Sequence, residues 1–461
     1  MSTTAIHEDA DDQGVRSWLQ VNLKGDVVRF ERHRRWRPAW FVDMLSDGVI
    51  TPLYVRGERA EGLHTQPLER EYEVLKLLSA NGVLVPRIYG WCDAPKAIFM
   101  ERIDGEPYEG GAETVPARRA AVEDYMRHLA QVHRIDVADA VEAGLQCPQG
   151  PEAIALTYFA KAESAYFKGK IAPDPLVEFV RGWIRRHVPH HRDRPAVITS
   201  DAPQFFHRDG KVLALYDLEL AQIGDPMMDL ASMRLRDTME PTGDLGGLFD
   251  IYEAAAGEPI DDQTLSFYTV LLFMCVSMIA RPQLRIKPPH PAYVEYLSWN
   301  MSTTRSTMMA MAEYLRLDLD PVETVQPVAT RQSVAMADLV AHAETLTAEG
   351  HYREAPILSL ARYLQRADAH GQTIEAQEKA EAEALLDRSL ADMDEVELEL
   401  ERCVQAASPA RDEDLVRYFY RRETRRLQLL ADYPSPIVSR GMGPGRARVD
   451  QTTPPVIERA C

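Results

Sequence analysis

The chain has 461 residues, 45% hydrophobic and 27% charged, enough for two or three domains with a substantial core. Its formal net charge of −19 excludes a large nucleic-acid footprint, which needs a basic surface. The five cysteines are scattered, without a CxxC or Cys/His cluster, so neither a disulfide framework nor a structural zinc site is expected.

Residues 1–14 are polar and acidic and are expected to be disordered. They lack the basic start and apolar stretch of a signal peptide, and a reducing cytoplasm is the expected compartment. A first helix is expected from Val15 to Leu23. "DVVRFERH", "AWFVDML" and "VITPLYVRG" read as strands, with "RRWRP" and the turn "SDG" between them. In "PLEREYEVLKLLSANG" the apolar residues Leu68, Tyr72, Leu75 and Leu78 keep a helical period that stops at Asn81-Gly82. "VPRIYGWC" and "AIFMERID" complete a small mixed sheet over residues 15–102.

From residue 103 to 325 helices dominate, among them "ARRAAVEDYMRHLAQVHRID" and "DPLVEFVRGWIRRHVP". The most apolar window, Phe267 to Ala280, is too short to span a bilayer and reads as a buried core helix, so no membrane partner is expected. Residues 326–433 read as a charged helical accessory domain that could serve homo-oligomerisation, and 434–461 as a flexible tail. The fold class is therefore α+β: a small sheet-rich section, a mainly helical one, and an extra helical region.

The chemistry concentrates in "ITSDAPQFFHRDGKVLALYDLELAQIGDP", from Ile198 to Pro226. Two apolar runs end at Asp201 and Asp217, with the turn signal Asp209-Gly210 between them, which reads as a hairpin bringing both carboxylates together. One carboxylate can take a proton from an alcohol and another can hold Mg²⁺, the two needs of phosphoryl transfer. The amide of Gln204 can offer its carbonyl oxygen to the same metal.

This stretch resembles the aminoglycoside phosphotransferase and choline kinase superfamily, the protein-kinase-like small-molecule kinases. Its common form runs His-Gly-Asp, an asparagine, Asp-Trp/Phe-Glu, then Gly-Asp-Pro-x-x-Asp-Leu-Ala. Here stand Thr199-Ser200-Asp201, Gln204, Asp217-Leu218-Glu219 and "GDPMMDLA" from Gly224 to Ala231. The resemblance covers roughly residues 25 to 320 and implies a two-lobe protein-kinase-like fold. It implies Asp201 as the base, and Asp217 as the main Mg²⁺ ligand with Gln204 and Glu219 assisting. Arg56 would stand for the usual phosphate-binding lysine, held by Glu71, with Glu69 as the rival. Met100, Glu101 and Ile103 would form the hinge that meets adenine. Asp225 and Asp229 would cap and anchor the helix that follows, and His133 would be a packing histidine. Without a glycine-rich loop, Arg34, Arg35 and Arg37 are either phosphate or anionic-substrate contacts or a solvated basic turn anchored by Trp36 and Trp40.

The implied activity is an ATP- and Mg²⁺-dependent transfer to a hydroxyl of a small molecule, with GTP as the other donor. A metabolic or catabolic alcohol or hydroxyacyl compound is preferred to an aminoglycoside or macrolide antibiotic. Replacement of the histidine, glycine and asparagine favours a second reading, a pseudokinase that binds nucleotide without turnover. A third is a structural partner protein working through its C-terminal helices.

Overall fold

The computed structural model describes residues 10–33, 37–59, 66–108, 115–285, 292–348 and 355–443. Helix α1 (Ala10–Asn22) begins at Ala10 rather than at the expected Val15. Its first-turn acids are not a solvated tail. Asp12 accepts the Trp40 Nε1–H at 2.7 Å, and Arg32 reaches Asp11 and Asp12 at 3.2 Å each. Acids in a first turn also meet the positive end of the helix dipole.

Strands β1 (Asp26–His33), β2 (Ala39–Ser46) and β3 (Val49–Gly57) form a meander. Helix α2 (Leu68–Ala80) follows, then β4 (Ile88–Asp93) and β5 (Lys96–Glu101). The sheet is antiparallel throughout, in the order β1-β2-β3-β5-β4. Asp47 and Gly48 turn β2 into β3 with φ of 52° and 79°, the conformation a tight hairpin demands. Period two then sorts the side chains. Leu53, Val55 and Phe99 join Trp40 and Val42 under α1, while Tyr54, Arg56 and Met100 face a cleft on the other side. Gly90 has φ 158°, and a Cβ there would lie 2.6 Å from the Trp18 ring, which stacks on Phe99 with centroids 3.8 Å apart.

The helical lobe runs through β6 (Glu106–Pro107), α3 (Val115–His133), α4 (Val137–Glu142), α5 (Pro151–Gly169) and α6 (Pro175–Arg186). It continues with β7 (Ala196–Ile198), β8 (Phe205–Arg208), β9 (Lys211–Leu215) and β10 (Gln222–Gly224). Helices α7 (Met227–Met239), α8 (Leu245–Ala256), α9 (Asp262–Gln283) and α10 (Tyr293–Leu315) close it. Helix α9 is longer than its apolar window, and it is long and apolar enough to cross a membrane by composition alone. It is buried inside the lobe and capped by Asp261, which accepts the N–H of Gln263 and Thr264.

One expectation needs correction. The hairpin is β8–β9, turned by Asp209 and Gly210 at φ 51° and 72°. The run before Asp201 is β7, which pairs with β10 instead. Asp201 and Asp217 are thus not two strand ends of one hairpin but the residues that flank it. The Tyr216 N–H donates to Gln204 O at 3.1 Å and closes its base.

The C-terminal region holds α11 (Ser333–Ala348), α12 (Ala355–Leu386), α13 (Met393–Ala406), α14 (Asp412–Leu427) and α15 (Pro436–Ser439). It is less separate than its sequence suggests. Val396, Leu400, Leu415 and Phe419 belong to the same core as α6, α9 and α10. Lys170 pairs with Glu401 at 3.0 Å and Arg186 with Asp412 at 2.7 Å. Part of the expected tail is also packed: Ile437 and Val438 are buried against Val294 and Leu297 of α10. Helix α11 is largely exposed.

Candidate active site

The site begins with the period of β3. Because Leu53 and Val55 face α1, Arg56 must face the cleft. There its Nε donates to Glu71 of α2 at 3.0 Å. Glu71 is buried whereas Glu69 is exposed, so the helix presents the former and not its rival. The other end of the guanidinium, Nη2, donates to Asp217 Oδ1 at 2.6 Å and lies 3.8 Å from Glu219. Burial works against the Arg56 charge, but Glu71 and Asp217 outweigh it and its pKa is raised.

Glu219 collects two more arginines. Arg37 Nη2 reaches it at 2.5 Å and Arg59 Nη2 at 2.7 Å. Arg37 is buried, so at this position the solvated-turn reading fails. Trp40 does anchor the connection, while Arg34, Arg35 and Trp36 lie outside the described residues. Arg59 was not singled out by sequence reading, because nothing in "RGERAEG" separates it from a surface arginine.

Asp201 sits at the head of the β8–β9 hairpin. Gln204 Nε2 donates to its Oδ2 at 3.2 Å, and Arg236 of α7 donates to its Oδ1 at 2.8 Å. The loop before it hangs on Asp229, which accepts the Thr199 N–H at 2.8 Å and the Ser200 N–H at 2.6 Å. The expected role of Asp229 as an anchor of its own helix is therefore replaced: it holds the Asp201 loop. His133 Nε2 lies 3.0 Å from the same carboxylate and its Nδ1 2.7 Å from the Tyr252 hydroxyl, so His133 braces the loop from behind. Asp225 does cap the start of α7 by accepting the Met227 N–H at 2.9 Å, and Arg192 forks onto it at 2.8 and 3.0 Å.

Ser200 has φ 62°, a conformation that costs any residue except glycine. This is the position where the resembling pattern carries glycine.

Between the lobes lies a cavity of about 590 Å³. Arg56, Glu71, Met100, Glu101, Ile103, Gln204 and Asp217 all line it. The Glu101 N–H is taken by Arg87 O at 2.8 Å and the Arg102 N–H by Pro52 O at 3.1 Å, so neither amide is open to the cavity.

A divalent cation fits these residues. Gln204 Oε1 is buried and has no hydrogen-bond partner, and Asp217 keeps a third of its side chain exposed. Mg²⁺ binds through one or two protein oxygens plus phosphates rather than in a protein cage. Accordingly, no cluster of three or more His, Cys, Asp or Glu suited to a metal occurs among the described residues.

Residues 45–267 match the model of the phosphotransferase enzyme family. That segment, just under half of the chain, is what resembles the family. Its fold is that of a crystal structure from Ralstonia eutropha JMP134 provisionally described as an aminoglycoside phosphotransferase. The two share 17% identity and a TM-score of 0.52, over 66% of this chain and 98% of that one. Two curated relatives are similar in sequence. Mouse acyl-CoA dehydrogenase family member 10 is 25% identical over 50% of this chain and 22% of its own length. Rat acyl-CoA dehydrogenase family member 11 is 23% identical over 73% of this chain and 47% of its own length. The chain thus spans less than half the length of either relative.

Proposed function

We propose that this phosphotransferase uses ATP and Mg²⁺ to phosphorylate a hydroxyl of a small metabolic alcohol or hydroxyacyl compound, with GTP as the alternative donor. One observation carries the reading. Asp201 and Asp217 flank a single hairpin, with the unsatisfied amide oxygen of Gln204 between them and the Glu71-held Arg56 above. Asp201 accepts the proton of the attacking hydroxyl, and the Arg236 guanidinium fixes the carboxylate that receives it. Arg56 would hold the phosphates, for which its planar fork is suited. Met100, Glu101 and Ile103, which line the cavity, would hold the purine. Mg²⁺, held by Asp217, Gln204 and Glu219, would supply neutralisation of the charge that develops on the transferred group.

A thermal-shift series with ATP, GTP and Mg²⁺, run beside Asp217→Ala, tests the reading. A nucleotide- and Mg²⁺-dependent shift that the variant loses supports it; no shift in the wild type overturns it. The second reading, nucleotide binding without turnover, draws on the occupied state of both carboxylates: Arg56 sits on Asp217 and Arg236 on Asp201. It gains if nucleotide binds and no phosphate moves to any alcohol of a broad panel. The proposal includes a reducing cytoplasmic setting, supported by the free thiols of Cys92, Cys147, Cys275 and Cys403. It also includes self-association of two copies through α11 and α12, where Val334, Leu339 and Ile357 are exposed; light scattering reads it directly.

A further inference from the structure

Arginines around the cleft meet carboxylates, but two cations beside it do not. Arg70 of α2, adjacent to Glu71, donates Nη2 to Ala221 O at 2.7 Å. Lys161 of α5 donates Nζ to Gln222 Oε1 at 3.2 Å. Neither side chain makes an ion pair among the described residues, although the chain carries a net charge of −19. They come from different lobes onto consecutive residues of the segment that follows Asp217 and Glu219. Burial lowers the pKa of both, and Arg70 lowers that of Lys161 further, so Lys161 lies within reach of the Arg70 charge. Lys161 also shares a helix face with Tyr158, one turn earlier, whose hydroxyl feels the Asp201 carboxylate. Helix α5 packs on β10, the strand that Gln222 opens, which places its Lys161 face beside the segment that follows the proposed site residues.

We infer that Arg70 and Lys161 form an anion-binding site for the phosphoryl acceptor, which therefore carries a phosphate or carboxylate group in addition to its hydroxyl. The inference rests on the phosphotransferase reading above. Two like charges brought together repel, and a neutral carbonyl and amide only partly offset this. An anion replaces those neutral bonds by charge-assisted ones, which are about twice as strong. A cationic acceptor such as an aminosugar would be repelled from the same place.

The test uses the full-length protein with four classes of alcohol: neutral, amine-bearing, carboxylate-bearing and phosphate-bearing. Phosphoryl transfer should favour one of the two anionic classes, and which of them wins identifies the group. Lys161→Gln and Arg70→Gln should each raise KM for that alcohol by about ten-fold with kcat little changed, the loss of one charge-assisted contact. Lys161→Glu should shift preference towards the neutral or amine-bearing class. Best turnover of a neutral or amine-bearing alcohol, with a KM indifferent to Lys161→Gln, overturns the inference. Calorimetric titration with inorganic phosphate separates the two layers. Phosphate binding that both substitutions weaken, without turnover of any alcohol, keeps the anion site and removes the kinase reading. Absence of phosphate binding together with nucleotide-dependent turnover of neutral alcohols does the reverse. Lys161 is only partly covered and its variants should fold, so they decide the matter even if an Arg70 variant does not.

Discussion

At the scale of single residues, Asp201 is the group whose surroundings oppose its charge. Burial, and the nearby carboxylates Asp217, Asp229 and Glu219, push it up to about 7 against the hydrogen bond from Gln204. Its unfolded value is about 3.9, so between roughly pH 4 and 7 the folded state holds the proton more tightly, and stability falls as pH rises through that window. A base must be deprotonated to work. The expected kcat/KM therefore declines below about pH 7, and a profile flat from about pH 5 to 8 would contradict the assignment. Asp201→Asn should lose about 10²- to 10⁴-fold in kcat, and should not melt higher than the wild type above pH 7, because it leaves Arg236 without its counter-charge. Ser200 gives a second expectation. Its φ of 62° suits glycine, so Ser200→Gly should stabilise by up to about 1 kcal/mol in denaturant unfolding, whereas Ser200→Val should destabilise. Asp201, Gln204 and Asp217 were legible from a motif of fixed spacing, and Arg56 and Glu71 through the family resemblance that motif carries. The partnerships of Glu219 were not. Arg37 meets it across 182 positions of chain and Arg59 across 160, and no local pattern records such a pairing.

Among elements, the loop that carries Asp201 is held from another helix. Two consecutive amides, those of Thr199 and Ser200, end on the fully buried Asp229 of α7, and His133 of α3 braces that carboxylate. Asp229→Ala would leave both amides and the histidine without a partner in the interior. Its expected cost is about 3 kcal/mol or more, from urea unfolding, together with a fall in kcat although the residue touches no reacting atom. Asp229→Asn keeps one acceptor oxygen and should recover part of both. If Asp229→Ala lowered stability and left kcat intact, the loop would be positioned by something else. The sequence showed the helix start at Gly224-Asp225-Pro226 but assigned Asp229 to the wrong neighbour, because the following helix is nearby in sequence and the loop is not. The same bias toward neighbours made a hairpin of β7 and β9, when the actual partner of β7 is β10.

For the molecule as a whole, the C-terminal helices behave as a wall of the helical lobe. Val396, Leu400, Leu415 and Phe419 share its core, and Thr304 of α10 donates to the buried Glu423 of α14 at 2.9 Å. Removal of residues 326–461 should expose this face and yield an aggregating or strongly destabilised product, seen as loss of a cooperative melt; a well-folded, nucleotide-binding fragment would show the region to be dispensable. Composition alone suggested a detachable domain, since charged helices read the same whether they stand apart or lean on a neighbour. The cleft itself has one more consequence. Arg56, Arg37 and Arg59 come from the sheet side, and Asp217 and Glu219 from the helical side, so the two lobes are latched by ion pairs across the cleft. On the proposed function, entry of a triphosphate would be an exchange of partners rather than the filling of an open mouth. The pairs that form this latch are largely buried, so salt, which screens exposed charges, should change its strength little.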